Sequence, residues 1–182
     1  MRRNKSSWCC TMSEGESPAP LIERVFGRIA ATRMIGLPVN NPALRVEACG
    51  FHLWQGLWLG VLVTPWAINL MLLPGGNPAF RRLGPDERQR WAFPCGDYEF
   101  LGGAEGELGA FQICSLFSPA FEFFSHDAAR HAALAVIEVL LTTYGGAARD
   151  AEQAGLEGRP LLYRPLSRRA FLGGVLRNPA RT

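Results

Sequence analysis

Charge is missing from a long stretch of this chain. The 33 residues 48–80 hold no Asp, Glu, Lys or Arg, yet include three of the five tryptophans, Trp54, Trp58 and Trp66. Apolar surface on that scale has to be buried in a core, in a membrane or against a partner. Lysine is nearly absent as well. Lys5 is the only one, a skew that follows genome composition and carries no functional meaning. Other absences exclude whole classes of chemistry. The five cysteines (Cys9, Cys10, Cys49, Cys95, Cys114) form no Cys-x-x-Cys pair and no quartet with histidine, which argues against zinc. Their odd number and irregular spacing fit a reducing, cytoplasmic setting. No nucleophile elbow, phosphate-binding loop, metal triad or dinucleotide fingerprint is present. The start, MRRNKSSWCCTM, is basic but lacks the apolar run of a secretory signal. Met12 offers a second start, so residues 1–11 read as an extension.

What charge there is sits unevenly. Residues 159–182 carry six Arg and no acid, and residues 1–11 carry two Arg and one Lys. The stretch between, 12–158, has 10 basic and 16 acidic residues, a net of −6. An acidic body repels phosphate, so no nucleic acid partner is expected. The apolar run 57–73 is 17 residues long, at the lower edge of the roughly 17–25 that a spanning helix needs. Thr64, Pro65 and Asn69 interrupt it, and Pro74-Gly75-Gly76 closes it. Two buried strands joined by a turn account for it better, and no stable membrane insertion is expected.

At 182 residues the chain reads as one domain with tails. Residues 1–19 are expected to be a disordered N-terminal segment, 20–146 the domain, and 147–182 a basic, largely disordered tail. Leu21, Val25, Ile29 and Thr32 recur at helical spacing, predicting an amphipathic helix over 21–35 that ends at Gly36 and Pro38. Strands are expected at 44–50, 58–63, 68–73, 89–94, 98–101 and 108–116, with Gly75-Gly76 and Gly102-Gly103 as turn material. A second helix is expected over 127–144, capped by Asp127 and ended by Gly145-Gly146. The fold class is α+β: an antiparallel sheet of five or six strands packed by an N-terminal and a C-terminal helix.

Three features carry candidate chemistry. Cys114 lies in FQICSLF, an apolar strand, which favours a buried structural thiol. A cysteine-dependent enzyme would need a base beside it, and none of His52, His126 and His131 can be placed there from sequence. Asp97, Glu99, Glu105 and Glu107 flank one predicted hairpin. They form either a solvated face or an anionic landing site for a basic peptide. A divalent metal is disfavoured because hairpin tips splay their ligands. The segment Ser167-Arg168-Arg169-Ala170-Phe171-Leu172 looks like the twin-arginine export core S-R-R-x-F-L. It lies ten residues from the last residue, so it is not this chain's own export address. It is either a chance basic-aromatic tail or a mimic of a signal handled in another chain, competing for the acidic hairpin as an internal placeholder.

The strings GVLVTPWAINLMLLPG (60–75) and LGAFQICSLFSPAFEF (108–123) together resemble the HybE/HupJ family, cytoplasmic chaperones for assembly of nickel–iron hydrogenases. The resemblance runs over roughly 21–144 and takes in NPAL at 41–44 and GDYEF at 96–100. It implies a non-enzymatic chaperone without a cofactor. Such a chaperone would bind a hydrogenase large or small subunit precursor, with a twin-arginine signal peptide as a further candidate, and delay export until assembly is complete. Carried over by position, it points to Thr64, Pro65, Trp66 and Asn69, and to Cys114, Ser115, Leu116, Phe117, Ser118, Pro119 and Glu122. These are fold or contact residues, with no catalytic or metal role attached. The partner-contact candidates are thus Pro65, Trp66, Asn69, Phe117, Pro119 and Glu122 with the four hairpin acids. Among the junction aromatics, Phe121 and Phe124 are expected in the core and Trp66 in contact. Residues 1–11, Cys49 and Cys95 depart from the family pattern. A Cys114-dependent enzyme and a general peptide or small-molecule binding module remain as alternatives.

Replacing Cys114 with Ser is expected to lower stability without altering any chemistry. Exchanging a buried thiol for a more polar hydroxyl costs roughly 1–3 kcal/mol. A denaturation midpoint and a client-binding assay on the folded variant test this; full stability with lost activity would make the thiol functional.

Overall fold

The computed structural model describes residues 16–142. The expectations for 1–15 and 147–182, the Ser167–Leu172 segment included, lie outside them. Two helices bracket six strands in the order α1 (Ala19–Ala31), β1 (Glu47–Trp54), β2 (Leu57–Val63), β3 (Ile68–Pro74), β4 (Arg88–Phe93), β5 (Gly96–Glu105), β6 (Gly109–Phe117) and α2 (His126–Leu141). The strands form one sheet, ordered β1-β2-β3-β6-β5-β4, with every pair antiparallel. The fold class read from the sequence therefore holds, with six strands.

The charge-free run becomes β2, β3 and the turn between them, and both strands are buried on both faces. Their alternate residues feed two cores. Leu57, Leu59, Val61, Val63, Ile68, Leu70 and Leu72 pack toward α2, which contributes Ala129, Ala133, Val136 and Leu140. Leu62, Met71 and Leu73 pack on the opposite face with Ile22 and Val25 of α1. Each fully buried aliphatic side chain stabilises by about 1.5–3 kcal/mol, so a polar residue on either face here would be costly.

The sheet also curls. Trp54 at the end of β1 stacks on Phe93 of β4 with ring centroids 4.5 Å apart and planes 16° from parallel, although these strands are the two edges of the sheet. The curl is helped by a register shift in β1 between Cys49 and His52. Gly50 sits there with φ +62, and a Cβ on it would come within 2.6 Å of the Ile137 side chain. Glycine thus lets the bulge form and α2 approach.

Inside the curl, Gln112 is buried and fully used. Its Oε1 accepts from Trp91 Nε1 at 2.7 Å, and its Nε2 donates to Arg81 O and Gln89 Oε1, each at 2.8 Å. Gln89 in turn donates to Ala79 O at 2.7 Å. One side chain so ties β6 to β4 and to the loop that precedes β4.

Three local expectations are corrected. Gly102 and Gly103 are not turn residues; they lie within β5. A Cβ on Gly102 would meet Leu83 backbone and side chain at 2.5 Å, and one on Gly103 the Phe111 ring at 2.4 Å. They are glycines because other groups cover the strand there. The cap of α2 is Ser125, whose side chain accepts from Ala128 N at 3.2 Å, while Asp127 sits in the first turn. Finally, α1 stops at Ala31, where Thr32 turns its hydroxyl back to Arg28 O at 2.7 Å.

Gln112→Leu leaves the Trp91 indole N–H and the Arg81 carbonyl without their partner. It is expected to lower unfolding free energy by about 1–3 kcal/mol, read by urea denaturation. An unchanged midpoint would show the network to be dispensable.

Candidate partner-docking face

Three strings singled out in the sequence meet at one end of the sheet. The link is Asn41, 6% exposed. Its Nδ2 donates to Ala120 O and Phe123 O, both at 2.8 Å, and its Oδ1 accepts from Ala43 N at 3.0 Å. Its backbone N–H donates to Pro65 O at 2.7 Å. Residues 41–44, the 64–67 turn and the loop 118–125 are thereby held by one side chain and its own backbone. The turn is closed locally: Thr64 Oγ1 donates to Ala67 O at 2.6 Å and accepts from Ala67 N at 3.0 Å. That leaves Pro65 and Trp66 at its tip, both half-buried.

The loop 118–125 begins with a cis bond between Ser118 and Pro119 and ends at the cap Ser125. Phe123 turns inward, 5% exposed, its ring edge-to-face with Phe117 at 4.9 Å. Phe121 and Phe124 turn outward, 51% and 94% exposed. This overturns the expectation that both belong to the core. The carbonyls of Ala120 and Phe123 are both claimed by Asn41, which fixes the loop and sends its other two phenyl rings to solvent.

Beside the aromatic loop lies a polar cluster that the sequence did not announce. Buried His126 accepts from Arg45 N–H at Nδ1 (3.3 Å), so its proton is on Nε2, facing Glu47 Oε2 at 2.5 Å. Glu47 Oε1 also pairs with Arg130 Nε at 3.2 Å, and Arg45 approaches Oε2 at 3.9 Å. The cluster ties the start of α2 to the start of β1. Glu122 and Asp127, both exposed, hold no ion pair among the described residues.

The remaining candidates divide. Pro119 and Glu122 are exposed on this face. Asn69 and Phe117 are buried and offer no surface; Phe117 backs the loop from within through its contact with Phe123. The four acids do not form one cluster. Asp97 and Glu105 lie eight positions apart on one strand, roughly 26 Å at 3.3 Å per residue. Glu99 pairs with Arg88 and Arg90 at 3.7 and 3.2 Å, and Glu105 with Arg33 at 2.7 Å. Glu107 takes Arg24 and Arg28 at 3.0 and 3.3 Å. Hydrogen bonds from Arg24 and then Arg28 hold the Glu107 carboxyl below the usual range. A depressed carboxylate contributes stability above its ordinary pKa and loses it as pH falls, and solvent exposure keeps this contribution small. These pairs pin α1 to the β5–β6 turn.

The three thiols among the described residues are buried or half-buried. Cys114 is 3% exposed. Burial, then the charge of Glu47, pushes the Cys49 thiol up to about 12. Burial also raises Cys95, whose Sγ lies 3.4 Å from the Tyr98 hydroxyl. A nucleophilic thiol requires the opposite shift. Among the described residues, no group of three His, Cys, Asp or Glu is placed to hold a metal ion.

Asn41→Ala removes the partner of two loop carbonyls and one N–H. It is expected to cost about 1–3 kcal/mol and to raise amide exchange across 118–125, read by hydrogen-exchange mass spectrometry. Exchange confined to 41–44 would show that Asn41 does not hold the aromatic loop.

Comparison with known proteins follows the same lines. The family model described as NiFe-hydrogenase assembly, chaperone, HybE matches residues 17–174. The chain is 38% identical over 156 residues to the hydrogenase expression/formation protein HupJ of Bradyrhizobium diazoefficiens, covering 86% of this chain and 87% of that protein. It is 40% identical over 135 residues to protein HoxT of Cupriavidus necator, covering 65% of this chain and 73% of that one. The solution structure of HybE from Escherichia coli superposes with a TM-score of 0.56 at 25% identity, over 69% of this chain and 77% of that chain.

Proposed function

The chain belongs to the HybE family of nickel–iron hydrogenase assembly chaperones, and from that membership we propose how it acts: it holds a hydrogenase subunit precursor on the Phe121–Phe124 face and delays twin-arginine export until assembly is complete. The observation that carries this is the exposure of Phe121 and Phe124 on a loop that Asn41 holds in place. Two large apolar groups kept in water cost the free protein stability and become useful once a partner covers them. Burying Phe124 contributes about 1.5–3 kcal/mol and half-exposed Phe121 about half as much. Together they supply about a quarter to a half of the roughly 8 kcal/mol of a micromolar complex. Pro65, Trp66 and Pro119 extend the apolar area, and Glu122 and Asp127 steer basic client segments.

The hairpin acids are a weaker docking surface. Three of the four already hold arginines, and an incoming basic peptide would exchange one exposed ion pair for another. Such pairs are worth about 0.2–1 kcal/mol. Asp97 is the one without an ion pair among the described residues.

The protein works here by binding, in the cytoplasm before export. A Cys114-dependent reaction would require a substrate to enter the core that covers this thiol. No helix among the described residues is long and apolar enough to cross a membrane.

The test is capture of hydrogenase large and small subunit precursors by the wild-type chain and by Phe121→Ser/Phe124→Ser. At least a tenfold loss of capture is expected. Stability should change by less than about 0.5 kcal/mol for these surface positions. Undiminished capture by the folded variant would move the docking site elsewhere.

A further inference from the structure

The docking face has a second occupant available within the same chain. It combines two exposed phenyl rings with the carboxylates of Glu122 and Asp127, which hold no ion pair among the described residues. Nearby Arg130 is committed to Glu47. The fitting ligand is therefore a short segment with paired cations next to apolar side chains. The sequence supplies one outside the described residues. Arg168 and Arg169 are adjacent, Phe171 and Leu172 follow, and the whole of 159–182 contains no acid. Arginine suits both parts of the face, since guanidinium groups pair with carboxylates and stack on aromatic rings.

Reach permits it. The face lies at the start of α2, whose 16 residues span roughly 24 Å. Residues 143–167 provide a 25-residue connection. Such a connection reaches roughly 25–30 Å when flexible and about 80 Å when extended, so the return past α2 is within its range. The matched family region also runs to residue 174 and so includes Arg168 to Leu172.

We propose that residues 168–172 occupy the Phe121–Phe124 face of their own chain when no client is bound, and that a client displaces them. The proposal rests on the reading of that face as a docking surface but not on the identity of its client. A tethered segment at this span has an effective concentration of about 1 mM. A dissociation constant about tenfold below that concentration would keep the face covered about nine tenths of the time.

The test uses the full chain without any hydrogenase subunit, so its failure is separable from failure of client capture. Trypsin cleavage after Arg168 and Arg169 is timed in the wild type and in Phe121→Ser/Phe124→Ser. About tenfold faster cleavage is expected in the variant, at a rate independent of protein concentration. Equal rates in the two chains would overturn the proposal. Protection that grows with concentration would overturn it too, by placing the tail on a second copy. If the phenylalanine variant does not fold, Arg168→Ser/Arg169→Ser replaces it, with amide exchange of 119–124 as the readout. Faster exchange than wild type supports cis occupancy, and unchanged exchange refutes it.

Discussion

Burial of β2 and β3 on both faces is the constraint from which the rest of the structure follows. A strand buried on one side needs one covering layer, whereas these two need a layer on each side. One helix cannot serve both, so α1 takes the Leu62, Met71 and Leu73 side and α2 takes the other. The 33-residue absence of charge is the sequence form of the same constraint. It also explains why Gln112 and Asn41, which enter the interior, are so fully bonded. The Gln112 side chain makes three hydrogen bonds and Asn41 five, two of them from its backbone, because a single missing partner there would offset the burial of a whole aliphatic side chain.

The two bonded polar residues divide the labour. Gln112 holds the curled half of the sheet, where its side chain ties β6 to β4 and to the loop that precedes it. Asn41 holds the other end, where three connections meet without strand pairing. Loops lack a ladder to fix them, and a buried amide with two donors and an acceptor is a compact substitute. The docking face is thus an outgrowth of the way the fold closes that end, with Phe123 and Phe117 as its inner support and Phe121 and Phe124 as its surface.

Much of the architecture was legible because β-strand periodicity and apolar runs are local properties. The central strands, both helices and the antiparallel arrangement follow from them. What was not legible depended on contacts between distant residues. Gly102 and Gly103 resemble a turn until Leu83 and Phe111 are laid over them. Phe121, Phe123 and Phe124 lie in a loop where neither a period of two nor of 3.6 applies. Which ring turns inward is decided by Asn41, some eighty residues earlier in the chain. The acids at 97, 99, 105 and 107 read as one charged hairpin because the arginine partners of the last three come from α1, its trailing loop and β4. The string NPAL was noticed at the start, but nothing local marks its asparagine as a hub.

The fixed loop carrying Phe121 and Phe124 has a kinetic consequence. Its backbone is already ordered by Asn41 and by the Ser125 cap, so a partner docking there as proposed would find the rings presented, with little conformational entropy left to lose on contact. Association can then run at an ordinary protein rate of roughly 10⁵–10⁷ per molar per second. On the proposed docking reading, a complex of micromolar affinity would dissociate at about 0.1–10 per second. A client held that way would be released and recaptured repeatedly within a minute. Handing a finished subunit onward would then need no separate ejection step: a subunit whose docking segment had become buried in its own fold would fail to return.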